Sequence, residues 1–115
     1  MHFCFTAHYT PEALNAIMEN PNASRQEASK KLIEAAGGKL ISMYSTGADG
    51  PGVLIIFEIP DANASAAAAI SGIGVASGAV HNVKLTRLLT QEEVTHVRQK
   101  AAKLRSSYKA PQAKN

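Results

Sequence analysis

The stretch KLISMYSTGADGPGVLIIFEIPD, residues 39–61, decides the fold. Two flanks rich in β-branched and aromatic residues enclose the segment 47–52, whose residues favour turn geometry, so the stretch predicts a β-hairpin. Residues 53–57 are apolar without interruption. A run of that kind at strand length indicates a strand that is covered on both of its faces.

The composition bounds the class of protein. A chain of 115 residues with 45% hydrophobic and 18% charged residues predicts one ordered domain with a single core. The lone Cys4 excludes an intramolecular disulfide. The sequence begins with no basic leader and contains no apolar stretch of about 18 residues. We therefore expect a cytoplasmic protein with no membrane-spanning segment.

The formal charge of +3 is concentrated near the C-terminal end. Residues 1–95 carry nine acids and six Lys or Arg residues, whereas residues 96–115 carry six Lys or Arg residues and no acid. The body has no basic stripe with interleaved aromatic residues, so we do not expect it to bind nucleic acid. Binding of a polyanion through the basic tail is an alternative that the sequence leaves open.

Periodicity and capping residues predict the other elements. They are a strand over 2–9, a helix from 11 that breaks at 20–22 and resumes over 24–36, the hairpin, an alanine-rich helix over 62–70, a flexible connection over 71–78, a strand over 79–89 and a helix over 91–108. Gly37 is expected to be a left-handed helix cap, and Asp61 is expected to cap the alanine-rich helix. Thr90 and Glu93 form a capping box for the last helix.

The predicted order of strands and helices is βαββαβ, which is the ferredoxin-like arrangement of an α+β protein with a four-stranded antiparallel sheet. Right-handed crossovers place both helices on one face of the sheet and leave the other face bare. Yet the strand over 53–57 is apolar on both faces. We therefore expect a homodimer through the helix-free sheet face, with the last helix as an additional or alternative cover.

Residues 44–61, the alanine-rich helix and the late strand VKLTR together resemble the small bacterial GYD-domain family over most of residues 3–92. The resemblance implies a dimeric α/β-barrel fold, with two sheets stacked about a barrel interior. Aligned back from Glu58, the Gly-Tyr-Asp that names the family falls on Gly50, Pro51 and Gly52, so its Tyr and Asp are replaced. Asp49 would supply the acid if the turn were shifted.

The predicted elements and the resemblance together divide the chain into three parts. We expect a ferredoxin-like domain of the GYD type over residues 1–90, an amphipathic helix over 91–108 and a frayed basic tail over 109–115.

The candidate pocket residues are His8, Tyr44, His81 and Cys4. Cys4 and His8 share one face of the first strand but lie roughly 13 Å apart, so a thiolate–imidazole pair would need His81 or a partner chain. His8 and His81 lack a third ligand with recognisable spacing, so we expect no metal and no other cofactor. Tyr44 and His8 suit acid–base chemistry on a carbonyl or phenolic ligand, or are hydrogen-bonded edge residues without a catalytic role.

Three functions are compatible with these features. The first is a small dimeric binding or accessory protein with a cavity for a small apolar or aromatic ligand. The second is a cofactor-independent oxygenase or isomerase that acts on a small aromatic or lactone substrate, since relatives of the dimeric-barrel fold include small oxygenases. The third is an electrostatic binder that uses the basic tail.

Overall fold

The computed structural model describes residues 1–47 and 50–111, in which two helices pack on one face of a single antiparallel sheet. The strands are β1 His2–Tyr9, β2 Lys39–Thr46, β3 Gly52–Glu58 and β4 Val80–Leu88, in the sheet order β2-β3-β1-β4. The helices are α1 Pro11–Glu19, α2 Arg25–Ala35, α3 Ala66–Ala76 and α4 Gln91–Leu104, with 3₁₀ turns at Asp61–Asn63 and Arg105–Ser107. The predicted ferredoxin-like α+β fold is confirmed.

The core lies between the sheet and the helices. Alternate side chains of β1 and β3 are buried, as the period of two in a strand requires. Phe57, Ile33 and Ile59 are the largest fully buried side chains, and the rings of Phe3 and Phe57 stack with their centroids 5.6 Å apart. Each such side chain contributes about 1.5–3 kcal/mol to the free energy of unfolding.

The opposite face of the sheet has no covering layer within the described chain. Leu54 and Ile56 alternate with the buried residues of β3 and are only half-buried. Leu54 lies between Thr6 of β1 and Tyr44 of β2 in the strand register. We call this surface the free sheet face; its residues are Cys4, Thr6, His8, Ser42, Tyr44, Thr46, Leu54, Ile56, Lys84 and Thr86. The expected cover on both faces of β3 is therefore not supplied within one chain.

Helix α3 continues through the segment expected to be a flexible connection. That prediction, for residues 71–78, is wrong because the chain stays helical to Ala76 despite Gly72 and Gly74. Each glycine costs about 1 kcal/mol relative to alanine in a helix, a penalty that the packing of α3 on the sheet offsets. Gly74 lies close to the sheet, where an added Cβ would come within 3.3 Å of a methyl of Val80. Gly78, with φ of +78°, follows the end of the helix.

Of the two helix caps predicted at Gly37 and Asp61, only the one at Gly37 is confirmed. Gly37 has φ of +81° and is the left-handed residue after α2, as predicted. Asp61 does not cap α3, which begins at Ala66 after a 3₁₀ turn. The Asp61 carboxylate instead accepts a hydrogen bond from the Met1 ammonium group at 3.1 Å.

Helix α4 begins with the predicted capping box. The Glu93 backbone N–H donates to the Thr90 hydroxyl at 3.1 Å, and the Thr90 backbone N–H donates to the Glu93 carboxylate at 3.0 Å. Arg87 of β4 also donates to Glu93 at 2.7 Å and ties the first turn of the helix to the sheet. The helix ends at Leu104, where the sequence predicted an end at residue 108.

Beyond its first turn, α4 extends away from the body. None of its side chains is buried. Its apolar stripe consists of Val94, Val97, Ala101 and Leu104, and Val97 and Leu104 are 50% and 65% exposed. Tyr108, beyond the end of the helix, is 72% exposed. The radius of gyration is 18.3 Å, against about 13 Å for a compact domain of this length. The helix therefore owes little of its stability to packing within its own chain.

The stability of α4 should depend on pH through Glu93. The hydrogen bond from the Thr90 backbone N–H is the main cause that holds the pKa of the Glu93 carboxyl below its ordinary value of 4.5, and nearby Arg87 adds to it. Because this pKa is lowered on folding, the stabilisation is present above pH 4.5 and is lost as the pH falls through the folded pKa. We expect helical circular dichroism to decrease in that range.

Glu93→Gln is the matched control, because glutamine keeps the capping geometry without a titrating charge. The variant should lose less helical signal than the wild type below pH 4.5. Identical curves for the two proteins would show that the carboxylate does not stabilise the helix.

Candidate functional site

His8 lies at the end of β1, where β4 departs from regular pairing. Thr6 pairs with Lys84 and His8 pairs with His81, so β4 contains one residue more than β1 between these pairs. This is a β-bulge, and within it Asn82 adopts φ of +53°. The rings of His8 and His81 lie with their centroids 6.0 Å apart. The bulge therefore brings two histidines together at one corner of the sheet.

Asn82 orients the imidazole of His8. Its side-chain Nδ2 lies 3.3 Å from Nδ1 of His8. With the amide in this orientation its nitrogen donates and Nδ1 accepts, an arrangement that corresponds to the Nε2–H tautomer of a neutral imidazole. The Nε2–H group is then a donor for a bound molecule.

A cavity of about 670 Å³, partly open to solvent, lies beside His8. We call it the histidine cavity. Its polar lining residues are Thr6, His8, Thr46, Asn82 and Lys84, and its apolar ones include Ala7, Val53 and Val83. The described residues of the lining include several hydrogen-bond donors and a cation, which suit a ligand that carries an electron-rich oxygen.

The structure places the four residues proposed from sequence on one face of the sheet but not in one cluster. His8 and His81 are neighbours. Tyr44 lies on β2, two strands from β1, so its backbone is about 10 Å from that of Thr6, the β1 residue at the same register position. Its side chain is 62% exposed. Cys4 is half-buried and pairs with Ile56 and Thr86, four residues along β1 from His8. Only the histidine pair is in mutual reach.

Residues 1–47 and 50–111 contain neither a cluster of metal-ligating side chains nor a helix able to span a membrane. No three His, Cys, Asp or Glu side chains of these residues converge as a metal site would require. None of the helices in the same ranges has the length and hydropathy needed to cross a bilayer.

Comparison with known families adds to this geometry. The model of the GYD domain matches residues 3–97. The chain belongs to the GYD-domain family. No curated protein gave a significant match. Family membership accounts for the domain from β1 into the start of α4 and assigns no activity to it.

In this GYD-domain protein, Gly50, Pro51 and Gly52 occupy the positions of the Gly-Tyr-Asp that names the family, and Gly52 lies next to the histidine cavity. Gly52 begins β3 and pairs with His8 on one side and Thr46 on the other. An added Cβ at Gly52 would overlap the carbonyl oxygen of Ala7 and come within 2.9 Å of the Thr46 hydroxyl. Only glycine fits this close approach of the hairpin to β1. Asp49, the other acid considered for the motif, lies outside the described residues.

Sequence reasoning missed the polar residues that complete the GYD-domain site. Four polar residues line the cavity and were not among the candidates: Thr6, Thr46, Asn82 and Lys84. One signal was present for Asn82: two successive polar residues, His81 and Asn82, interrupt the alternation of β4, and asparagine tolerates the left-handed conformation. Thr46 and Lys84 sit at ordinary strand positions and carried no such signal.

Asn82 has two roles that substitutions can separate: it adopts a left-handed backbone conformation, and its side-chain amide contacts His8. Asn82→Ala should lower the free energy of unfolding by about 1–2 kcal/mol, because a Cβ without a compensating amide is strained there. Asn82→Gly removes the same amide, but glycine adopts the left-handed conformation without strain. The free energy of unfolding should therefore change by less than about 1 kcal/mol. Urea unfolding of both variants measures this difference.

Both substitutions should also release the His8 ring. Two-bond ¹H–¹⁵N spectra of the wild type should show the Nε2–H tautomer, and both variants should show a mixture. Equal destabilisation by Ala and Gly, or an unchanged His8 tautomer, would contradict the role given to Asn82.

Proposed function

We propose that this GYD-domain protein is a homodimer that binds a small, partly apolar molecule on its free sheet face. The observation that carries the proposal is the histidine cavity, which is lined by His8, its neighbour Asn82 and the cation of Lys84, with the ring of His81 beside that of His8. Its volume of about 670 Å³ falls within the range of about 300–1,000 Å³ that is usual for small-molecule sites.

The lining defines the chemical class of the ligand. The donors of His8, Thr6 and Thr46 and the ammonium group of Lys84 favour a carbonyl, phenol or carboxylate oxygen. The half-buried Leu54, which pairs with the lining residue Thr6 on the same free sheet face, favours an aromatic or aliphatic body attached to that oxygen. A small aromatic carbonyl compound, phenol or acid combines both properties.

The dimer is supported by two surfaces that one chain leaves uncovered. The free sheet face exposes Leu54 and Ile56 in part, and α4 exposes its apolar stripe. A helix of 14 residues without tertiary packing is marginal in water. Face-to-face association of two copies would bury both surfaces and close the open side of the histidine cavity.

A cofactor-independent oxygenase or isomerase is the second candidate function. It is favoured by the Asn82 contact, which fixes the ring of His8 with a proton-bearing nitrogen available for acid–base chemistry. Tyr44, its proposed companion, lies two strands away and two register positions along the sheet, and is largely exposed. We therefore place binding ahead of catalysis.

The dimer is tested by light scattering coupled to size-exclusion chromatography. The wild type should elute as a dimer, and Ile56→Glu should produce a monomer because a carboxylate would be buried without a partner. Met18→Glu is the matched control: Met18 is also an exposed apolar residue, but it lies on α1. A monomeric wild type, or a dimeric Ile56→Glu variant, would contradict association through the free sheet face.

Ligand binding is tested by saturation-transfer NMR with a set of small aromatic ketones, phenols and acids. We expect binders in this set, and His8→Ala should weaken them by about tenfold through loss of a hydrogen bond in a partly enclosed site. His96→Ala is the control, since His96 is exposed on α4. Equal affinity in His8→Ala and wild type would overturn the site, and turnover of a bound compound would favour the second candidate.

A further inference from the structure

A second cavity lies on the helix-covered side of the sheet, opposite the free sheet face. Its volume is about 260 Å³, and it separates α2 from α3. The floor includes Phe5, Ile55 and Phe57 of the sheet, and the walls include Leu32 of α2 and Ile73 of α3. We call it the helix-layer cavity.

The cavity exists because neither helix supplies enough side-chain volume to fill the space above the sheet. The residues of α2 that line it include Ala28 and Ser29, and from the other side Gly74 and Ser77 contribute. Residues 66–69 of α3 are all alanine. The cavity is partly open to solvent, and Ile73 on its wall is 51% exposed, so an apolar occupant would remove apolar surface from water.

The size and lining indicate what that occupant is. An engineered apolar cavity of about 150 Å³ binds benzene, so this larger space accommodates an apolar body of about ten non-hydrogen atoms. The floor and walls are aromatic and aliphatic, which excludes a strongly polar molecule from the interior.

The rim adds a charge. Arg25, the first residue of α2, is exposed and lines the cavity together with Ser29 and Ser77. Among residues 1–47 and 50–111, no carboxylate forms an ion pair with Arg25. Its guanidinium group is therefore available to an anionic head group, which it binds best as a planar carboxylate.

We propose that the helix-layer cavity binds a small apolar carboxylate, such as an arylalkanoate, with its apolar body over Phe5 and Ile55 and its carboxylate at Arg25. The sheet lies between this site and the histidine cavity, and Val53 is the one described residue that lines both. Binding in the helix-layer cavity therefore does not depend on the proposed function.

The first test is a titration of the full chain with 3-phenylpropionate, followed by ¹H–¹⁵N correlation spectra. The amide shifts should be centred on α2, α3 and the middle of β1. Arg25→Gln should weaken 3-phenylpropionate by at least about threefold and leave neutral 3-phenylpropanol unaffected, since only the acid uses the guanidinium group. Lys30→Gln removes a charge from the same helix at a residue that does not line the cavity and should change neither affinity.

The second test fills the cavity. Ser29→Leu should abolish binding of both compounds and raise the melting temperature, because the leucine occupies the apolar space. Ser29→Ala, at the same position, should retain both affinities. His8→Ala should also retain them, so the outcome here is distinguishable from a failure of the histidine cavity.

Three outcomes would overturn the proposal. The first is the absence of amide shifts around the cavity, and the second is binding to Ser29→Leu as tight as to Ser29→Ala. The third is a set of nuclear Overhauser contacts between α4 of one copy and Phe5 of another, which would show that a second chain fills the space.

Discussion

The chain supplies helices for only one face of a sheet that is apolar on parts of both faces. On the covered side, Phe57 and its neighbours are buried under α2 and α3 and hold the fold together. On the other side, Leu54 and Ile56 remain half-buried among polar neighbours. The position of the core, the exposure of the histidine cavity and the case for a second copy all follow from this imbalance.

Local irregularities of the sheet then locate the polar site. Regular pairing along β1 and β4 would space the side chains evenly, and the extra residue at Asn82 interrupts it. Gly52 allows the start of β3 to approach β1 at the same corner. Since both irregularities flank His8, the backbone at this corner differs from the rest of the sheet. Strain and close approach of this kind often accompany functional positions.

The sequence predicts the features that depend on local chemistry. The hairpin, the capping box of Thr90 and Glu93 and the left-handed Gly37 each follow from residues near one another in the chain. The continuation of α3 through Gly72 does not, because packing on the sheet outweighs helix propensity there. The prediction that Asp61 caps α3 was wrong because its partner, the Met1 ammonium group, is distant in the sequence and reaches it only in the folded chain.

The candidate site was less predictable than the fold. His8 and His81 stood out as ionisable residues on predicted strands, and the structure places them side by side. Their polar neighbours depend on the bulge and on the sheet order, neither of which periodicity determines. The helix-layer cavity is further from prediction, because it depends on the spacing between two helices that are far apart in the chain.

The sheet order also has a consequence for the course of folding. Strand β1 emerges first during synthesis but lies inside the sheet, and its neighbours β3 and β4 come later in the chain. The hairpin of β2 and β3 closes a short loop and can form early, whereas the pairing of His2 with Leu88 spans nearly the whole domain. Until β4 arrives, one edge of β1 is unpaired beside apolar side chains. The nascent domain is therefore most prone to aggregation before its last strand is made.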